Sequence, residues 1–232
     1  MGDALKGAST GNEFGHFEDS EFLEFHKSLL RKYRSDLYTP RKELAFDGED
    51  IQIARTMLER RNDSYDVWGW KDPRTTLFLD SWAALSPDIR FLFLYRDPFA
   101  VVESICKQNR RSWLYLRPWV APASWLHYNR LVLDFFNRHR ERCMLANIDG
   151  IKRDSRGALG KISGWLGIEL NVPFDSVYVP GAMTSGGNEA TGFPVAPYVR
   201  FLRATITDHL MRVYDRLESQ AFVAGTAPDA TG

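Results

Sequence analysis

The 232-residue chain is poor in cysteine, with only Cys106 and Cys143. Two are too few for a disulfide scaffold, and nothing has zinc-finger spacing. The expectation is a reducing compartment, the cytoplasm. No apolar run reaches the length of a membrane span. The first twenty residues are polar and mixed in charge, so they do not read as a secretory leader. Net charge is also lacking: 30 Lys+Arg balance 30 Asp+Glu. That argues against bulk nucleic-acid binding, which needs a basic footprint. There is no Gly-Lys-Ser/Thr phosphate loop and no plain pair of Mg²⁺ carboxylates, which argues against a kinase or another phosphate-transfer enzyme.

What is present suits a globular protein: 44% hydrophobic and 26% charged residues, enough for a sizeable core. The charge is uneven. Residues 1–80 carry 16 acids and 12 bases, residues 90–142 carry 10 bases and 4 acids, and 22 of the 30 bases are Arg. The planar fork of Arg grips phosphate and sulfate well. A basic stretch in a neutral chain points to a small anion, although solvated helix faces would also account for many of these residues.

Residues 1–18 are Gly-rich and without period, a loop. Phe22, Leu23, Phe25, His26, Leu29 and Leu30 recur at helical spacing, predicting a helix from Asp19 to about Lys32. A second helix is predicted over Asp47–Arg60 and a third over Thr75–Leu85. Asp66–Trp70 is short and aromatic, as in a strand. Arg90–Tyr95 and Cys143–Ile148 are near-continuous apolar runs, as in strands buried on both faces of a parallel sheet. Helices are predicted from Pro98 to about Asn109, over Pro122–His139, Asp154–Leu166 and Pro197–Phe222. Gly167 can cap the third of these. Residues 181–193 read as a loop and 223–232 as a frayed tail. Alternating strands and helices predict an α/β fold with a parallel sheet, as one domain over 1–222.

Three segments carry chemistry. In Phe91–Ser104, Arg96 ends a buried strand, Pro98 opens the next helix, and Ser104 lies about two turns inside it. Ligands of parallel sheets bind at the carboxyl ends of strands, where a helix N-terminus favours anions. The alternative is a local Arg96–Asp97 ion pair with Ser104 an ordinary helix residue. Trp70–Arg74 brings Lys71 and Arg74 to a strand end, with Asp72 as a candidate proton acceptor; a charged turn would read the same. Gly11–Asp19 carries His16 and Glu18, candidate general bases, and Glu18 and Asp19 could equally cap the following helix. The remaining histidines, His26, His127, His139 and His209, sit in helical patterns and read as structural.

In their order these segments resemble the sulfotransferases that use 3′-phosphoadenosine-5′-phosphosulfate (PAPS), especially the bacterial branch. Leu94–Ser104 is similar to the family's 3′-phosphate motif, an Arg on a strand end with a Ser eight residues later. Lys71-Asp72-Pro73 resembles its Lys-containing loop facing the acceptor and sulfonate. Gly15–Asp19 resembles its Gly-Tyr/His-Phe-Glu-Asp segment. More weakly, Asn147–Gly150 and Gly164–Ile168 resemble its Tyr-Glu-Asp-Leu and Phe-Leu-Gly segments. The likeness covers about residues 1–170. It implies a P-loop NTPase-like, three-layer fold and transfer of a sulfonate from PAPS to a hydroxyl or amine acceptor. It implies that Arg96 and Ser104 bind the 3′-phosphate and that Lys71, with Arg74, stabilises the transferring group. Glu18 is the first candidate base, ahead of Asp72 and His16; no metal is required. A strand and a Pro-Arg-Ser-Gly-Thr-Thr-type 5′-phosphosulfate loop precede the matching region in the family, and this chain has neither. The expectation is therefore a piece of a longer protein or a loop-less relative, for which a non-catalytic nucleotide-binding or partner role is the alternative. A sheet edge left open in that way would favour pairing between chains, a homodimer.

Overall fold

A computed structural model describes residues 18–38, 44–108, 117, 119–170 and 195–225. The chain divides into two compact units, Met1–Ile89 and Arg90–Gly232. The structure is mixed α/β. Among the described residues no helix is long and apolar enough to cross a membrane.

In the first unit, α1 (Ser20–Lys32) begins where the Asp19 side chain accepts the Glu21 amide. Arg31 and Lys32 lie in its last turn, where cations suit the helix dipole. Its buried face is the predicted one: Phe22, Leu23, Phe25, His26, Leu29 and Leu30. A capping box between Asp47 and Asp50 opens α2 (Gly48–Ser64), which buries Ala54, Met57 and Leu58. The helix predicted over 75–85 is two pieces. A 3₁₀ helix, Pro73–Phe78, is capped by Asp72 and runs into α3 (Leu79–Leu85). Trp82 is fully buried and meets Phe22, Phe25 and Phe46.

Asp66–Trp70 is not the predicted strand. Trp70 instead stacks on Phe22 at 4.4 Å, and Trp68 lies 5.9 Å from the same ring. Alternate aromatics mark any extended segment that lays rings on a neighbour, whether or not its backbone joins a ladder.

In the second unit, β1 (Phe91–Tyr95) and β2 (Cys143–Asn147) pair in parallel, Phe91 opposite Cys143 and Tyr95 opposite Asn147. Between them run α4 (Pro98–Gln108), α5 (Val120–Arg138) and a 3₁₀ turn, Arg140–Arg142. After β2 come α6 (Ile148–Arg153), α7 (Ser155–Leu166) and α8 (Val195–Gln220). Gly167 ends α7 with φ 70°, the left-handed conformation predicted for it.

Three sequence expectations are corrected here. Every β2 residue is buried, but β1 is covered on one face only. Phe91 and Phe93 lie over Phe135, whereas Leu92 and Leu94 are 37% and 54% exposed. A period of two separates these sets, and an all-apolar strand hides it. Cys143–Ile148 stops as a strand at Asn147, whose side chain accepts the Asp149 and Gly150 amides and starts the unpredicted α6. Nor does the tail fray at 223. The Phe222 amide donates to Leu145 O (2.9 Å) and the Asn147 amide to Val223 O (2.8 Å), making Val223 a parallel bridge partner of Ala146. This strap crosses so close to α6 that a side chain at Gly150 would run into the Ala224 carbonyl.

Glu218 of α8 ties these parts together. Its Oε1 accepts from Tyr95 Oη (2.8 Å) and Asn147 Nδ2 (2.6 Å), and its Oε2 from the Gly225 amide (2.7 Å). Burial and this carboxylate push the Tyr95 phenol up; the Tyr214 phenol, which accepts from Asn147 Nδ2 at 3.0 Å, is pushed up to about 12. Glu218→Ala leaves three donors without an acceptor. It is expected to cost about 2–3 kcal/mol, read as a lower urea midpoint. Glu218→Gln keeps one acceptor oxygen and is expected to lose less.

Candidate functional site

Four of the predicted residues come together in the first unit. Asp72, with 1% of its side chain exposed, stands just before the 3₁₀ helix and accepts the Arg74 amide on Oδ1 at 2.9 Å. The same oxygen accepts Arg74 Nη1 at 2.8 Å, and Oδ2 accepts from His26 Nδ1 at 2.8 Å. Trp82 Nε1 donates to His26 Nε2 at 3.0 Å. An indole N–H only donates, so this network places the imidazole proton on Nδ1 and aims it at Asp72. Glu18, 5% exposed, completes the group: Oε1 is 3.6 Å from Lys71 Nζ and Oε2 3.9 Å from Arg74 Nη1. Lys71 keeps 59% of its side chain exposed.

The two candidate bases thus differ. Burial pushes the Asp72 carboxyl up, but the His26 hydrogen bond and the Arg74 charge outweigh it and hold the carboxyl below its usual range. Both Asp72 oxygens are engaged, which makes it a poor proton acceptor and a good anchor. Glu18 faces its two cations without a hydrogen bond to either, and among the described residues its oxygens are not tied down in that way. His16 lies outside the described residues. His26 is buried in the core as the sequence suggested, but its bond to Asp72, 46 residues away, was not foreseen.

In the second unit Arg96 follows the last residue of β1 and Ser104, half-buried, lies within α4. Arg96 does not pair with Asp97. Asp97 Oδ1 accepts the Ala100 amide at 2.8 Å and so caps α4. This uses one of the helix-terminal N–H groups that were expected to face an anion. The charge Arg96 faces is Asp149 Oδ2, 3.7 Å from Nε, too long for a hydrogen bond. Among the described residues the Arg96 guanidinium donates no hydrogen bond, and its Nε is buried without a partner. In the sequence Asp149 carries no signal beyond the Asn147–Gly150 segment; its place opposite Arg96 follows from the parallel register of β1 and β2. Lys152 Nζ is 3.3 Å from Asp149 Oδ1.

Among the described residues no group of three or more His, Cys, Asp or Glu side chains is placed to hold a metal ion. No protein-family model, no curated protein and no solved structure matches this chain.

Proposed function

We propose that the chain is sulfotransferase-like and binds the 3′-phosphate of PAPS or of its product, 3′-phosphoadenosine-5′-phosphate, through Arg96 and Ser104. The observation that carries this reading is Arg96 itself. An arginine at the carboxyl end of a parallel strand, 23% exposed and donating no hydrogen bond among the described residues, suits a multidentate anion. A neutral protein offering such a group selects a small anion rather than a polyanion. The P-loop NTPase-like, three-layer fold belongs to the same proposal, and the parallel β1–β2 pair with its intervening helices agrees with it. So does a homodimer, for which the outer edge of β1 and exposed Leu92 and Leu94 would serve.

In the proposed reaction an acceptor hydroxyl or amine attacks the sulfonate sulfur. A new bond to sulfur forms, and the S–O bond to the 5′-phosphate breaks. Its electrons leave with 3′-phosphoadenosine-5′-phosphate, and the acceptor's proton passes to a base. Charge spreads over the equatorial sulfonate oxygens, so catalysis rests on positioning and on fixed cations. Lys71, which lies 3.6 Å from Glu18 within the first unit, is the cation that the resemblance implies for that charge, with Arg74. Glu18 is the proposed base ahead of Asp72, whose oxygens are already engaged.

The test is calorimetric titration with 3′-phosphoadenosine-5′-phosphate beside adenosine 5′-phosphate, which lacks the 3′-phosphate. The expected result is tighter binding of the former by about tenfold or more, the worth of one charge-assisted contact. Equal affinity, or none for either, would sink the reading.

A further inference from the structure

Arg96 already has an anion in front of it, and that anion is built into the fold. Asp149 lies on α6, whose first amides are fixed by the Asn147 side chain: Oδ1 accepts Asp149 N at 2.8 Å and Gly150 N at 3.3 Å. Asn147 is fully buried, and its Nδ2 is spent on Glu218 Oε1 and Tyr214 Oη. All four of its hydrogen-bonding positions are thus occupied, so α6 and Asp149 have a set place at the end of β2. The Asp149 carboxylate then stands between two cations, Lys152 Nζ on Oδ1 and Arg96 Nε on Oδ2. Its two contacts are unequal. Lys152 is within 3.3 Å, whereas Arg96 is 3.7 Å away and makes no hydrogen bond to it.

We propose that Asp149 is an internal competitor for Arg96, a carboxylate that an incoming phosphate displaces toward Lys152. This rests on the reading of Arg96 as a phosphate-binding residue. A monovalent carboxylate at ionic but not hydrogen-bonding distance offsets the Arg96 charge without taking up any of its donors. A dianionic phosphate accepts several of those donors at once and outcompetes it; a weaker, singly charged anion does not. Asp149 would therefore raise the threshold of charge that a ligand must bring, which makes it a specificity-determining residue rather than a catalytic one.

The experiment compares wild type, Asp149→Asn and Asp149→Asn/Arg96→Ala with inorganic phosphate, acetate and 3′-phosphoadenosine-5′-phosphate, by titration at fixed ionic strength. Asn at 149 keeps the backbone amide that Asn147 caps, and an unchanged melting curve checks that α6 survives. The expected result is phosphate binding about threefold to tenfold tighter in Asp149→Asn, the range for removing one nearby, partly screened charge. Acetate should gain as well, and Arg96→Ala should abolish both gains. Unchanged or weaker phosphate binding in Asp149→Asn overturns the proposal. So does phosphate binding by the double variant that stays tighter than wild type. If phosphate tightens through Arg96 while the nucleotide fails to bind any variant, the competitor stands and the nucleotide reading falls.

Discussion

Asp72→Ala is expected to lower the stability of the first unit by about 3–5 kcal/mol, the range for breaking a buried charge pair from one side. The carboxylate serves three donors: His26 Nδ1, Arg74 Nη1 and the Arg74 amide. Without it the His26 N–H is left in a site of 0% exposure, with Trp82 occupying the other ring nitrogen. Arg74, 14% exposed, loses its 2.8 Å contact and keeps a 3.9 Å one to Glu18, and the 3₁₀ helix loses its cap. Asp72→Asn should cost less, because its amide oxygen can still accept from Arg74 while its NH₂ opposes the His26 N–H. Urea midpoints of the three proteins measure this order. A loss for Asp72→Ala no larger than for an exposed acid such as Glu24 would show the network to be slack.

The same carboxyl gives the direction of a pH effect. Its folded pKa is depressed below the ordinary value near 3.8. The unfolded chain therefore binds this proton more readily, and the stability it brings is fully present above that ordinary value. It is lost as pH falls through the folded pKa. The gap in urea midpoint between wild type and Asp72→Asn should be constant at neutral pH and close on acidification below about pH 4. A gap that stays constant down through that range would mean that the Asp72 carboxyl does not carry the effect.

The helices of both units were legible because period and punctuation agree there. Asp19 and Asp47 precede amphipathic runs, Pro98 opens α4, and Gly167 closes α7. The buried strand β2 was legible for a similar reason, since an unbroken apolar run has few other places to go. What failed depended on partners distant in sequence. Phe91–Tyr95 is as apolar as β2, yet Leu92 and Leu94 remain exposed, because burial is decided by what packs against a strand. Val223 is not legible as a bridge partner, because a single bridging residue leaves no pattern. The site divides likewise. Lys71, Asp72 and Arg74 were found because they are neighbours in the chain; the contacts of Asp72 with His26 and of Arg96 with Asp149 appear only when the fold brings them together.

Arg96→Ala should weaken binding of 3′-phosphoadenosine-5′-phosphate by about 10- to 150-fold, since a charge-assisted contact contributes roughly 1.5–3 kcal/mol. The upper part of that range is favoured, because the substitution does more than remove donors. It leaves Asp149 with Lys152 as its one remaining ion-pair partner among the described residues, so a carboxylate that Arg96 no longer helps to neutralise then faces the arriving phosphate. This separates the two contributions. In Arg96→Ala/Asp149→Asn the repulsion is gone and only the missing donors remain, so affinity should recover part of the way toward wild type. The coupling between the two sites is then read directly from the double-mutant cycle. Arg96→Lys supplies the charge without the fork and should fall between wild type and Arg96→Ala. If all three variants bind adenosine 5′-phosphate as wild type does while losing the 3′-phosphorylated nucleotide in this order, the arginine acts on the 3′-phosphate. If both nucleotides weaken together, Arg96 acts through the shape of the β1–α4 connection instead.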